Sequence, residues 1–279
     1  MARRSTLERP KRLVKVVDSS RVSLLLTSDW HWGASWVDED RLREDLDWAL
    51  DNDARILLGG DIHNAIFRFD KRYEKPSVDR SVLLRTDEVN ASVESLVEFM
   101  LPYKDNIDFF GIGNHEDVVL QRFGLDLQAL IASGLGLDKS TLGGYCNFIS
   151  YRLAPHRLGP TLDIFFFHGA GRYAPVTMGV IEFNRIKVFV EDVDIIWLAH
   201  AHESTVLRKS VLRCGNGKRG VFSDVFLIRT GGYGLWGQDP WAVRKGLPPK
   251  PSGGIGVVAE KVPVGHDGYT LKLEVVQWT

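Results

Sequence analysis

Cysteine is scarce. Cys146 and Cys214 are the only two, and they form no C-x-x-C pair and no metal-finger spacing. That argues against a disulfide framework and for an intracellular compartment. Long apolar runs are missing too: Leu24 to Leu26 and Ile164 to Phe167 fall far short of the ~20 residues a membrane span needs, so no membrane partner is expected. The N-terminal MARRSTLERPKRLVKVVDSS carries positive charge but no apolar stretch of the secretory kind, and a soluble cytoplasmic protein is the expectation. Net charge is nearly absent at −1. Bulk charge therefore neither proposes nor excludes a polyanionic partner, and only its local distribution can. No internal repeat stands out.

What is present is an alternation. Residues 1–20 read as a basic N-terminal segment that frays or lies on the surface, and 21–279 as a single domain. Val22 to Leu26, Ile56 to Leu58, Ile107 to Ile112, Leu162 to Phe167 and Ile195 to Leu198 are short apolar runs, suited to strands covered on both faces. Between them, Leu42, Leu46, Ala49 and Leu50 recur at helical spacing, as do Val89, Val93, Leu96, Val97 and Met100; each set makes one apolar stripe. Thr86 before Asp87 and Glu88 predicts a helix start, with a capping hydroxyl and then acids at the positive end of the dipole. Val176 to Val190 predicts another helix. After His202 the pattern turns to β. Thr205 to Arg213 and Val221 to Ile228 flank Gly215-Asn216-Gly217 as in a hairpin. A Gly/Pro/Trp-rich loop spans Gly231 to Gly254, and strands follow near Gly256 to Val262 and Tyr269 to Val276. The economical fold is α/β, a layered sheet core with a β-rich C-terminal part.

Each of the five apolar runs ends in a residue that can bind a metal. They run into Asp29-Trp30-His31, Asp61, Asn114-His115-Glu116, His168-Gly169 and His200-Ala201-His202. Ligands of open α/β sheets sit outside the carboxyl ends of the strands. If these strands share a sheet and a direction, their terminal side chains converge on one edge. Gly59, Gly60, Gly113 and Gly169 beside them allow sharp turns and close backbone approach.

Asp-x-His, Gly-Asp, Gly-Asn-His-Glu, His-Gly and His-x-His, in this order and at these separations, resemble the calcineurin-like metallophosphoesterase family, most of all its small phage and bacterial members. The likeness spans Val22 to His202. It implies a four-layer α/β/β/α sandwich with two packed sheets, the β-rich remainder serving the second sheet. It also implies Asp29, His31, Asp61 and His202 on one divalent ion, and Asp61, Asn114, His168 and His200 on another, with Asp61 bridging. His115 would be the catalytic histidine. Such a pair of ions needs an anionic bridge, and the donor set suits manganese first, then iron, zinc or nickel, and not an all-oxygen calcium site. The implied chemistry is attack on phosphorus by a metal-bridging hydroxide, with His115 as general acid toward the leaving oxygen.

Two positions depart from the protein-phosphatase pattern Gly-Asp-x-x-Asp-Arg. Asn64 stands where a second Asp orients the catalytic histidine; its amide oxygen can orient but adds no charge. Ala65 stands where an Arg grips a phosphomonoester. Both favour diester chemistry, so the expected substrate is a phosphate ester, a diester in a nucleotide, DNA or RNA. The alternatives are a phosphomonoesterase on nucleotides or small metabolites, and a catalytically silent scaffold of the same fold. Other features admit two readings each. His63 either touches substrate or is structural. Trp30 and Trp32 suit packing better than base stacking. Gly169-Ala170-Gly171-Arg172 is a phosphate cradle or a plain turn. Arg208, Lys209, Arg213, Lys218 and Arg219 either track a nucleic-acid backbone or, the preferred reading, are solvated. Trp236, Trp241, Pro248 and Pro249 either lid the site or close a sheet edge.

Overall fold

The short apolar runs are strands, but they divide between two sheets. The computed structural model describes residues 10–153, 160–170, 175–177, 179–213, 221–264 and 268–277. In chain order the elements are β1 (Lys11–Val17), β2 (Arg21–Thr27), α1 (Glu39–Asp51), β3 (Arg55–Leu58), α2 (Arg80–Leu83), α3 (Glu88–Met100), β4 (Ile107–Phe110), α4 (Asn114–Phe123) and α5 (Leu127–Leu135). Then come β5 (Cys146–Leu153), β6 (Thr161–Phe167), α6 (Val180–Ile186), β7 (Ile195–Leu198), β8 (Thr205–Arg213), β9 (Val221–Arg229), α7 (Pro240–Arg244), β10 (Ile255–Val264) and β11 (Gly268–Val276). One sheet has the order β11-β10-β2-β3-β4 and the other β1-β5-β6-β7-β9-β8.

The sheets pack face to face. Leu24, Leu26, Leu57 and Phe109 from one meet Ile149, Ile164, Phe166 and Trp197 from the other in a buried core. On the outer face of the five-stranded sheet, Leu25, Ile56, Leu58 and Phe110 pack against Leu42, Leu46 and Ala49 of α1, Leu96 and Met100 of α3, and Ile131 of α5. On the outer face of the other, Phe165, Ile196, Leu198 and Leu227 meet Phe183 and Ile186 of α6. This is the expected four-layer α/β/β/α sandwich. Because both faces of each central strand are covered, these strands read as continuous apolar runs and not as alternation.

Several local expectations change. The expected convergence on a single sheet edge becomes two edges: β2, β3 and β4 run parallel in one sheet, and β6 and β7 run parallel in the other. The β-rich C-terminal part serves both sheets, β8 and β9 in one and β10 and β11 in the other. Lys11–Val17 does not fray; it pairs in parallel with β5 as an edge strand and stays largely exposed. Asp87, not Thr86, is the N-cap of α3, and its side chain makes no capping bond because Arg85 holds it. Leu50 is 40% exposed and lies off the α1 stripe. The helix expected over 176–190 is shorter, since Gly179 at φ 72° starts α6 only at Val180. The predicted hairpin is present as antiparallel β8 and β9, with its turn outside the described residues. Among the described residues, no single helix is long and apolar enough to cross a membrane.

Candidate metal centre

The ligand-bearing loops continue the sheets beyond their strands. After β2 and β3, Asp29 N–H donates to Gly60 O at 3.0 Å, His31 N–H to Asp61 O at 3.0 Å, and Trp32 N–H to Ile62 O at 2.9 Å. The loop holding Asp29 and His31 is thus zipped to the loop holding Asp61. In the other sheet, Ala199 N–H donates to His168 O at 3.1 Å, which ties the last two ligand loops together. Five expected ligands sit in left-handed backbone: Asp29 (φ 54°), His31 (52°), Asp61 (51°), His200 (70°) and His202 (56°). Each such non-glycine residue costs on the order of 1–3 kcal/mol and clusters where function demands it.

The outcome is a buried, connected set. Asp29, His31 and His202 bring ligand atoms within 4.8 Å of one another, as do Asp61, His168 and His200, and also His31, Asp61 and His115. The first group holds three residues of one expected ligand set and the second three of the other, with Asn114 in neither. His31 Nε2 lies 3.1 Å from His202 Nε2, and the His168 and His200 rings are 5.4 Å apart. Asp29, His31, Asp61 and His168 are all buried.

The atoms that need partners lack them. Asp29 Oδ1, His31 Nδ1, Asn114 Oδ1 and His168 Nε2 are buried without a hydrogen bond. Asp29 Oδ1 lies 3.5 Å from His202 Nε2, and His168 Nε2 lies 3.3 Å from Asp61 Oδ2. These are close charge contacts without hydrogen-bond geometry. An orphaned buried polar group costs about 1–3 kcal/mol, and Asp29 Oδ1 and His168 Nε2, each beside another candidate ligand, are atoms that a cation would satisfy. The remaining ligand atoms are held. His168 Nδ1–H donates to Gly59 O at 2.8 Å, Ser28 Oγ to Asp29 Oδ2 at 2.6 Å, and His200 N–H to Asp29 Oδ2 at 3.0 Å. Such outer partners fix tautomer and orientation. The donor set of carboxylate, imidazole and amide oxygen fits a borderline transition metal.

Charge balance points the same way. Burial pushes the Asp29 carboxyl up to about 7 against the pull of His168, and repulsion from Asp61 adds to the rise. Burial disfavours the His168 cation, but Asp61 and Asp29 outweigh it and hold the ring up at about 9. Burial also opposes ionisation of Asp61, yet His168 and His115 hold it well below the carboxylate range. Burial, then Lys250, lowers His202 to about 3; burial, then His115, lowers His31 far below the imidazole range. Neutral imidazoles beside an ionised carboxylate are what a cation requires, and the protons on Asp29 and His168 are those it would displace.

His115 lies at the start of α4, its ring 4.6 Å from that of His31. Its backbone N–H donates to Asp61 Oδ1 at 2.8 Å, and its Nδ1–H donates to the Asn64 carbonyl. This corrects the expectation for Asn64: the backbone oxygen makes the contact, while the amide Oδ1 is buried and unpartnered. Glu116 has a part that the motif did not disclose. Its carboxylate accepts from Gly113 N at 2.9 Å, Asp61 N at 3.0 Å and His63 N at 3.0 Å. The available signal is its place three residues after Gly113, the capping-box position of α4, a helix that the apolar pattern did not announce. His63 is structural: Nδ1 accepts from Ala65 N at 2.8 Å, and Nε2–H donates to Ser92 Oγ at 2.6 Å.

The other candidates lie outside the centre. Trp30 and Trp32 pack on Phe99 in the core. On the hairpin, Arg208 pairs with Asp224, and Lys209 donates to Asn184 Oδ1 at 2.7 Å, so these charges are engaged locally. Lys218 and Arg219, the side chain of Arg213, Gly171 and Arg172 lie outside the described residues. Trp236 Nε1–H donates to Leu247 O at 2.5 Å, Pro248 and Pro249 are exposed, and the side chain of Trp241 is outside the described residues.

The chain matches no family model and no curated protein sequence. Among solved structures it is similar to Chaetomium thermophilum Vps29 at 11% identity and a TM-score of 0.35, covering 91% of this chain and 95% of that one. It is also similar to a metallophosphoesterase from Sphaerobacter thermophilus at 13% identity and a TM-score of 0.34, covering 92% of this chain and 90% of that one.

Proposed function

We propose that this protein is a dinuclear-metal-dependent phosphoesterase of the calcineurin-like kind, acting on phosphodiester bonds in nucleotides or nucleic acid. The observation that carries the reading is the meeting of Asp29, His31, Asp61, His168, His200 and His202 at adjoining strand ends, where buried ligand atoms stand without partners. Asp29, His31, Asp61 and His202 would hold one ion, and Asp61, Asn114, His168 and His200 the other. Bound there, the ions supply acidified water and positive charge for phosphate, the two things ester hydrolysis needs.

The chain's own residues do the rest. With Nδ1–H committed to the Asn64 carbonyl, the His115 ring is fixed in orientation, and Nε2 is the nitrogen left to hand a proton to a leaving oxygen. Ala65, buried at 1% exposure, brings no guanidinium to grip a dianionic monoester, which supports a diester with one charge fewer. The Asn64 and Ala65 departures support this choice against the monoester alternative.

The experiment pairs substrates with a variant. With manganese present, a chromogenic diester should be cleaved faster than the matching monoester. His115→Ala should cost on the order of 10²–10⁴ in rate on a diester with a poor leaving group, and much less with nitrophenolate, which needs little protonation. Equal losses on both leaving groups would remove the proton-donor role, and faster monoester cleavage would overturn the diester assignment.

A further inference from the structure

The His200-Ala201-His202 turn is tight. Both histidines are in left-handed backbone, and Ala201 N–H donates to Ala199 O at 2.8 Å, across two residues. What braces it comes from the loop 231–254. Lys250 Nζ donates to the Ala201 carbonyl at 2.5 Å and lies 3.6 Å from Glu203 Oε1. Gly232, near the other end of that loop, lies against the His202 ring; a Cβ there would stand 2.8 Å from His202 Nδ1.

The loop is closed at its base. Gly253 N–H donates to Gly232 O at 3.0 Å, and Gly231 N–H to Gly253 O at 3.1 Å. Both ends also meet buried Asp45, whose Oδ2 accepts from Tyr233 OH and from Gly254 N, each at 2.6 Å. Arg41 Nε lies 3.2 Å from the other oxygen of Asp45. A loop anchored this way delivers Lys250 and Gly232 to fixed places on either side of the His-x-His turn.

We infer that Lys250 is a positioning residue for the metal centre, holding the Ala201 carbonyl so that His200 and His202 are preset for cation capture. The inference rests on the metal-centre reading above. The sign of the charge makes it testable. An ammonium beside a site for divalent cations repels them, so a lysine that contributed only charge would weaken binding, and its removal would tighten it. A lysine that orders the ligands has the opposite effect when removed.

The test is calorimetric titration of Mn²⁺ into the metal-free full chain, for wild type, Lys250→Met and Lys250→Arg, with far-UV circular dichroism confirming that each is folded. Lys250→Met should bind manganese about tenfold more weakly, the low end of the range for groups that orient metal ligands. Lys250→Arg, which still donates to a carbonyl, should stay close to wild type. Unchanged or tighter binding by Lys250→Met overturns the inference and leaves the metal centre standing, as does weaker binding of inorganic phosphate with unchanged manganese affinity. A Lys250→Arg as weak as Lys250→Met overturns the hydrogen-bond assignment. No manganese binding by wild type overturns both readings.

Discussion

His63 stands two residues from Asp61, yet its chemistry belongs to the scaffold. Both ring nitrogens are used inside the protein, on Ala65 N and Ser92 Oγ, so the ring is neutral with its tautomer fixed. Burial, then the nearby His115, lowers it to about 3. In the unfolded chain the same side chain takes a proton near ~6.5. Between those values the unfolded state binds more protons than the folded one, so His63 makes stability rise with pH across that window and fall on acidification. His202, also lowered to about 3, acts in the same sense. Asp29, raised to about 7, acts in the opposite sense across this window, so in chelator the His63 share is read by comparing wild type with a His63 variant in the slope of urea-unfolding free energy against pH from 7 to 4. His63→Gln should lower that slope by up to ~1.4 kcal/mol per pH unit; an unchanged slope would show that His63 accepts its proton in the folded protein. At this scale the sequence is a good guide to residue type and a poor one to contact. Asp29, Asp61, His168, His200 and His202 are legible as candidate ligands because a strand end exposes the side chains that follow it. The Asn64 contact is not legible, because a backbone carbonyl makes it and every residue has one.

At the scale of elements, the junction between β3 and α4 sets the Asp61 carboxylate. Two chain turns cross there at backbone distance: a Cβ on Gly60 would lie 2.3 Å from Gly113 N, and one on Gly113 would lie 2.1 Å from Asp61 Oδ1. Glu116, from the first turn of α4, accepts from both turns and binds them into one unit. Glu116→Gln replaces one acceptor oxygen with a donor that faces N–H groups. It should cost on the order of 3 kcal/mol, given about 1.5–3 kcal/mol for a bond to a charged group. Gly113→Ala should leave the helices and sheets in place and displace Asp61, so metal binding falls while far-UV circular dichroism is kept. Denaturant midpoints and metal titrations of the two variants check this. Wild-type metal affinity in Gly113→Ala would mean that the junction has slack that the contacts deny. Most strands and the helices α1, α3 and α6 were legible from apolar pattern, since burial on two faces writes a continuous run and burial on one face writes a stripe; β1, β5, α2, α4, α5 and α7 were not. Which sheet a run joins was not legible. Leu162 to Phe167 and Val22 to Leu26 are equally apolar, and only pairing partners distant in sequence separate them.

On the scale of the whole molecule, the centre is built across the seam between the two sheets. Asp29, His31, Asp61 and Asn114 come with the five-stranded sheet, and His168, His200 and His202 come with the six-stranded one. Neither sheet carries the whole candidate set, so packing of the apolar faces between them is also what brings these residues together. Lys250 and Gly232 brace one side from a loop whose role no local pattern announces, because Lys250 meets Ala201 across 49 residues of chain. Asp61 stands at the middle: its side chain touches His168, its amide is held by Glu116, and its Oδ1 accepts from His115 N. The most direct measurement is the metal content of the folded chain after saturation with Mn²⁺ and removal of excess, for wild type and Asp61→Ala. A dinuclear centre predicts two ions per wild-type chain and a loss of both metal and hydrolytic activity in Asp61→Ala. One ion or none in a fully active wild-type protein, or undiminished metal in Asp61→Ala, would contradict it.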